Sequence, residues 1–281
     1  MRNFEIRKMN PDEINLAVDW AAAEGWNPGL HDASCFYQTD PNGYFVGLLN
    51  DKPIGCISVV SYQGTFGFLG FYIVHTDYRG KGYGIQIWNE AIKYLENHNI
   101  GLDGVVDQQE NYKKSGFKLA YRNIRYEGIA NHIKVEEKNI FPAGGIEFAK
   151  LIEYDTNFFP TERKVFLNSW IKLSESHSLV WVDGNEIKGY GTIRKCRRGY
   201  KIGPLFSDNF EIAELLFNSL CSKVENGLPV FLDTPEVNPA AVALAEKYKM
   251  TKVFETARMY TKEEPKIKLD GIFGVTTFEL G

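Results

Sequence analysis

Short apolar runs of strand length alternate along this chain with stretches in which apolar residues return every three or four positions. The sharpest contrast lies on either side of residue 80. Phe66–Val74 carries no charge and reads as a buried strand, whereas Ile85, Trp88, Ala91, Ile92 and Leu95 mark one face of a helix. Upstream, residues 4–9 predict a strand. Pro11-Asp12-Glu13 opens a helix with Ile14, Ala17, Val18 and Ala21 on one face, and Gly25-Trp26-Asn27-Pro28-Gly29 breaks it. A short helix over 31–38 follows, then strands over Tyr44–Leu49 and 54–62 joined by the hairpin signal Asn50-Asp51-Lys52-Pro53. Beyond the central helix come a strand over 102–106 and a short helix closed by Gly116. The second half repeats the rhythm: a helix over 158–173, strands over 178–182, 187–194 and 200–205, a helix over 210–225 and a strand over 230–232. A helix opening at Asn238-Pro239 and a strand over 253–260 complete it. Partial alternation over 271–280 predicts a last strand. Both halves describe a mixed α/β fold.

The segment joining the central strand and helix is Tyr78-Arg79-Gly80-Lys81-Gly82-Tyr83-Gly84. Its glycines permit positive φ and close approach of a ligand, and the first amides of the helix carry the positive end of the dipole. With Arg79 and Lys81 added, the turn suits a pyrophosphate. A Walker loop is excluded because Gly-x-x-x-x-Gly-Lys-Ser/Thr does not occur. A dinucleotide fingerprint would need Gly or Ala where Ile87 stands.

Arg79-x-x-Gly82-x-Gly84 resembles instead the acyl-CoA pyrophosphate loop of the GNAT acetyltransferase superfamily. Asn111-Tyr112-Lys113-Lys114-Ser115-Gly116-Phe117 is similar to that family's Tyr-x-Lys-x-Gly-Phe segment. The order of elements in each half matches the family as well. The resemblance implies two GNAT-like domains, 1–135 and 140–281, each a mixed, mostly antiparallel sheet flanked by helices. It implies acetyl-CoA as co-substrate, held by Arg79, Gly80, Lys81, Gly82, Tyr83 and Gly84. It also implies an oxyanion donor on the backbone around Ile73 and Val74, and Tyr112 as the acid that protonates the departing thiolate. Gly70 is expected to mark a bulge that splays the strand from its neighbour. The family's asparagine seven residues before the tyrosine is replaced by Val105, with Asp107-Gln108-Gln109 following.

The second half departs further. Asn238-x-x-Ala241-x-x-Leu244 resembles the family's fourth helix, but the tyrosine position is Ala245. The loop position reads Ile202-Gly203-Pro204-Leu205-Phe206-Ser207-Asp208-Asn209. Proline lacks an amide donor and Asp208 opposes an anion. One CoA per chain, in the first half, is therefore expected, with the second half serving acceptor recognition or structure.

Composition adds exclusions. The 281 residues carry a net charge of −4 and offer no bulk basic field for nucleic acid. The four cysteines and five histidines show no metal-ligand spacing, so no metal is expected. Without an apolar signal core or a membrane-length segment, the reading is a cytoplasmic monomer or homodimer that engages no membrane. An alkyl amine of pKa about 10.4 is mostly protonated at neutral pH, and freeing its lone pair costs about 4 to 5 kcal/mol. A base is therefore wanted, and none lies on Phe66–Val74. Glu24 and Asp107 are candidate catalytic carboxylates, Trp26 a candidate pocket wall, and Asp233 and Glu236 candidates to grip a cationic acceptor. Two functions stay open: an N-acetyltransferase acting on an amine of a small molecule or peptide, and a non-catalytic acyl-CoA sensor.

Overall fold

The computed structural model describes residues 3–133 and 138–281; the expected domain boundary at 135 lies outside them. The first half runs β1 (Phe4–Lys8), α1 (Ile14–Ala23), α2 (Asp32–Thr39), β2 (Tyr44–Leu49), β3 (Lys52–Tyr62), β4 (Phe66–Val74), α3 (Tyr83–Ile92), β5 (Asn99–Val105), α4 (Gln109–Lys114) and β6 (Lys118–Ile129). The second runs β7 (Ile140–Pro142), α5 (Phe148–Asp155), α6 (Lys164–Trp170), β8 (Ser176–Asp183), β9 (Glu186–Lys195), β10 (Tyr200–Ser207), α7 (Phe210–Cys221), β11 (Pro229–Pro235), α8 (Pro239–Lys247), β12 (Thr251–Tyr260) and β13 (Ile272–Gly274).

The mixed α/β class follows the expectation, but the two sheets are not separate. The halves exchange their closing strands. β12 pairs with β5 and β6, while β6 pairs with β11, so a single 13-stranded sheet crosses the molecule in the order β1-β2-β3-β4-β5-β12-β6-β11-β10-β9-β8-β7, with β13 off this path on β10. Only β4–β5 and β10–β11 are parallel; the rest is antiparallel. A shared apolar core follows. Phe36 lies 5.8 Å from Phe71 of its own half and 6.2 Å from Trp170 of the other, measured between ring centroids.

Two of the expected elements take another form, and β7 and α5 were not expected. The expected helix over 158–173 is a break followed by α6, because Pro160 interrupts it and the buried Arg163 turns back to chelate Asp155 at 2.8 Å through Nε and Nη2. The expected last strand over 271–280 survives only as β13. Beyond it the chain continues as a buried tail whose turn is tied by the Thr277 hydroxyl, which accepts from the amides of Glu279 and Leu280. Among the described residues no helix is long and apolar enough to cross a membrane.

Candidate active site

The site opens where the sheet divides. Parallel pairing between β4 and β5 ends at Leu69 and Leu102. Immediately afterwards one residue of β3 stands opposite two of β4, Phe71 and Tyr72, and Phe71 takes φ 45°. This bulge turns β4 away from β5, as a bulge at Gly70 was expected to do. A cavity of about 930 Å³ fills the resulting wedge. A smaller cavity of about 420 Å³ between α2 and α6 lies away from it.

The glycine loop closes one end of the large cavity. Gly80 and Gly82 take φ 71° and 80°, and Gly82 is the residue from which α3 starts. The amides of Gly80, Lys81 and Gly82 make no hydrogen bond to any described residue. They sit with the first turn of α3 where an anion would find unpaired donors. Arg79 donates from Nε to the Val74 carbonyl at 2.7 Å and pairs with Glu24. Glu24 is thus tied to the cation of the glycine loop. Ile73 and Val74 line the cavity.

Tyr112 reaches the cavity from α4, buried against Trp88 at 6.0 Å between centroids. Burial, with Tyr72 nearby, pushes its phenol up to about 12, which keeps the hydroxyl protonated. Asp107 is exposed at the cavity mouth beside Gln108. Val105 occupies the wall where the resemblance expects asparagine.

The opposite wall comes from the second half: Phe254 and Thr256 of β12, and Phe278 and Glu279 of the tail. Trp26 joins them, and its carbonyl accepts from Arg125 at 2.6 Å and Lys201 at 3.4 Å. Asp233 and Glu236 are not brought into the cavity. Asp233 is 1% exposed, and both its oxygens take hydrogen bonds from Arg125 at 2.6 and 2.7 Å. Burial alone would raise its carboxyl, but Arg125 outweighs that and holds it low. Glu236 is exposed, and accepts from the Arg122 amide at 3.2 Å.

Glu279 is the site residue that the sequence reading missed. It is 2% exposed, it lines the cavity, and its Oε1 has no hydrogen-bond partner among the described residues. Burial pushes its carboxyl up, opposed by Lys201; Asp32 adds to the rise, and Arg125 and Arg194 oppose it. The available signal was that Glu279 is the single charge between Gly271 and Gly281. A lone carboxylate in an apolar segment is either at a turn or buried for a purpose.

The second half has a counterpart of the wedge. Pairing of β10 with β11 ends at Ile202 and Leu232, and β10 bulges before Leu205. There the opening is filled by the chain itself. β13 pairs with β10, the Val275 amide donates to the Asp233 carbonyl at 2.8 Å, and Thr234 Oγ1 donates to the Phe273 carbonyl at 3.1 Å.

Sequence comparisons agree with this arrangement. The model of the acetyltransferase (GNAT) family matches residues 12–117, and that of an acetyltransferase (GNAT) domain matches residues 151–274. Holothin acyltransferase of Pseudoalteromonas sp. (strain SANK 73390) is 32% identical over 270 residues, 96% of this chain and 92% of that protein. The chain belongs to the GNAT acetyltransferase family. It is a tandem member, with one family match in each half. The fold of this GNAT protein is shared with a crystal structure of a proposed acetyltransferase from Pyrococcus horikoshii, with TM-score 0.83 and 24% identity over 99% of this chain and 96% of that one. A tandem GNAT protein from the clavulanic acid biosynthesis pathway superposes with TM-score 0.62 at 10% identity, covering 93% of this chain and all of that one.

The fold and the unpaired loop amides fit an acyl-CoA. No group of three or more His, Cys, Asp or Glu placed to hold a metal occurs among the described residues. The four cysteines are buried free thiols.

Proposed function

We propose that this GNAT protein moves an acyl group, acetyl in the simplest case, from acyl-CoA to an amine of a small molecule or peptide by direct attack. One observation carries the reading. A single cavity runs from the loop at Gly82, past the bulged strand at Ile73, to Tyr112 and the wall formed by the second half. The loop and the start of α3 would take the pyrophosphate, with Arg79 adjoining. The thioester would lie in the wedge of β4 and β5, and the sulfur would leave toward Tyr112. The acceptor would enter against Trp26, Phe254 and Phe278, so the second half supplies acceptor recognition rather than a second reaction. The filled opening between β10 and β11 supports a single CoA per chain.

Thiol release from acetyl-CoA, and from longer acyl-CoAs, is to be measured against a panel of amines. Holothin belongs in that panel, because the relative that is 32% identical is named for acylating it. Release that depends on both substrates supports transfer. Tight acyl-CoA binding with no release toward any amine favours the sensor.

A further inference from the structure

We propose that the general base of this site is Glu279, delivered by the tail of the second half into the cavity of the first. The assignment rests on the acyl-transfer reading above and names the group that reading lacks. Of the carboxylates around the cavity, Glu24 is bound to Arg79, and Asp103 is chelated by Arg258 at 2.8 and 2.6 Å and by Asn123 at 2.8 Å. Glu255 pairs with Arg122 and Lys252. Asp107 stands exposed at the mouth. Glu279 alone is buried, belongs to the cavity lining and accepts no hydrogen bond from a described residue. A buried carboxylate that accepts no hydrogen bond keeps its acceptor capacity for a substrate N–H brought beside it.

Its position is built rather than incidental. The Tyr62 hydroxyl donates to the Leu280 carbonyl at 3.0 Å, and Arg163 Nη1 donates to the main-chain oxygen of Gly281 at 3.1 Å. These bonds pin the chain just after Glu279. Phe278 on the other side lies under the Arg125 guanidinium, 4.8 Å from it. The tail also abuts Gly70, next to the bulge that opens the wedge. Four charged groups face the carboxylate from separate elements: Lys201 of β10, Arg125 of β6, Arg194 of β9 and Asp32 of α2. Burial raises its proton affinity and the three cations restrain the rise, so the carboxylate is a stronger base than a solvated one.

The step balances without a further reactant. Glu279 first takes the ammonium's extra proton and passes it to solvent; the freed nitrogen then bonds to the thioester carbon as Glu279 takes one further proton from it. The C–S bond then breaks, and the sulfur takes a proton from the Tyr112 hydroxyl. The products are the amide and free CoA thiol, and the extra proton on Glu279 returns through solvent to the Tyr112 phenolate.

The test uses the full chain, acetyl-CoA and an amine drawn from the panel. Glu279→Gln is expected to lower kcat/KM by about 100- to 10,000-fold at pH 7, with acyl-CoA affinity by calorimetry unchanged. Its residual rate should climb about tenfold per pH unit toward the amine's own pKa, since solvent must then supply the free amine. Glu279→Asp should recover part of the loss and restore the levelled profile. Wild-type rate and pH profile in Glu279→Gln would overturn the assignment alone. So would a fall in acyl-CoA affinity that matches the fall in rate, which marks a structural role. No release by the wild type with any amine overturns the acyl-transfer reading, and Glu279 falls with it.

Discussion

A side-chain carbon on Gly70 would come within 2.2 Å of the main-chain oxygen of Glu279, so the strand that forms the wedge and the tail that closes it meet in direct contact. Gly203 stands in the same relation to the tail in the second half, where such a carbon would meet the carbonyl oxygens of Thr276 and Val275 at 2.4 and 2.6 Å. The tail therefore spans from one bulge to the other. It fills the opening of the second half and presents Glu279 to that of the first.

Gly70→Ala tests this contact. The backbone neighbour cannot rotate away, so either β4 or the tail must shift. We expect a stability loss of about 1 to 3 kcal/mol in chemical denaturation, together with a fall in thiol release. Unchanged values for both would mean the tail gives way without cost and is not a fixed wall.

Gly82→Asp places a carboxylate where the pyrophosphate is expected, at a residue with φ 80°. Acyl-CoA binding by calorimetry should be abolished in a variant whose circular dichroism is unaltered. The wild type should bind one equivalent. Two equivalent sites, or retained affinity in the folded variant, would place the cofactor elsewhere.

Tyr112→Phe should lower turnover about tenfold to a thousandfold with little change in acyl-CoA affinity. Because the phenol is pushed up to about 12, the rate attributable to it should hold through pH 10 rather than decline there. Wild-type turnover in the variant reduces Tyr112 to a packing partner of Trp88.

Stability and chemistry should oppose one another at Glu279. A carboxyl raised in the folded state contributes stability below its unfolded pKa and loses it as pH rises through the folded value. At pH 7 the wild type thus bears a cost that glutamine does not. Glu279→Gln should melt higher than the wild type at pH 7, and the gap should shrink as pH falls toward 4. A lower melting temperature at pH 7 would falsify the picture of a carboxylate whose burial outweighs the cations around it.

Asp233 carries the reverse expectation. Its pair with Arg125 is buried on both sides, so Asp233→Ala leaves a guanidinium without its anion. About 3 to 5 kcal/mol of stability should be lost. Glu236→Gln, at an exposed position outside the cavity, should leave the acceptor KM unaltered. A raised KM there would bring the rim of the second half back into acceptor binding.

The sequence by itself determined what is local. Glycine spacing specified the loop before α3, because only residues free to take positive φ leave those amides unpaired, and hydrophobic period specified most strands and helices. Tyr112 was legible through the resemblance of 111–117 to the family's segment, in which a short helix ends at a glycine. Only the tertiary structure decided the rest, because pairing and burial depend on residues distant in sequence. β6 and β12 satisfy a strand pattern by period alone, and their pairing across the two halves joins residues far apart in sequence. Asp233 and Glu279 carry the same kind of charge in similar apolar settings along the chain. One meets Arg125 in a bidentate pair and becomes structural. The other belongs to the cavity lining with cations nearby but no hydrogen bond from any of them, and burial then outweighs their attraction and raises its proton affinity.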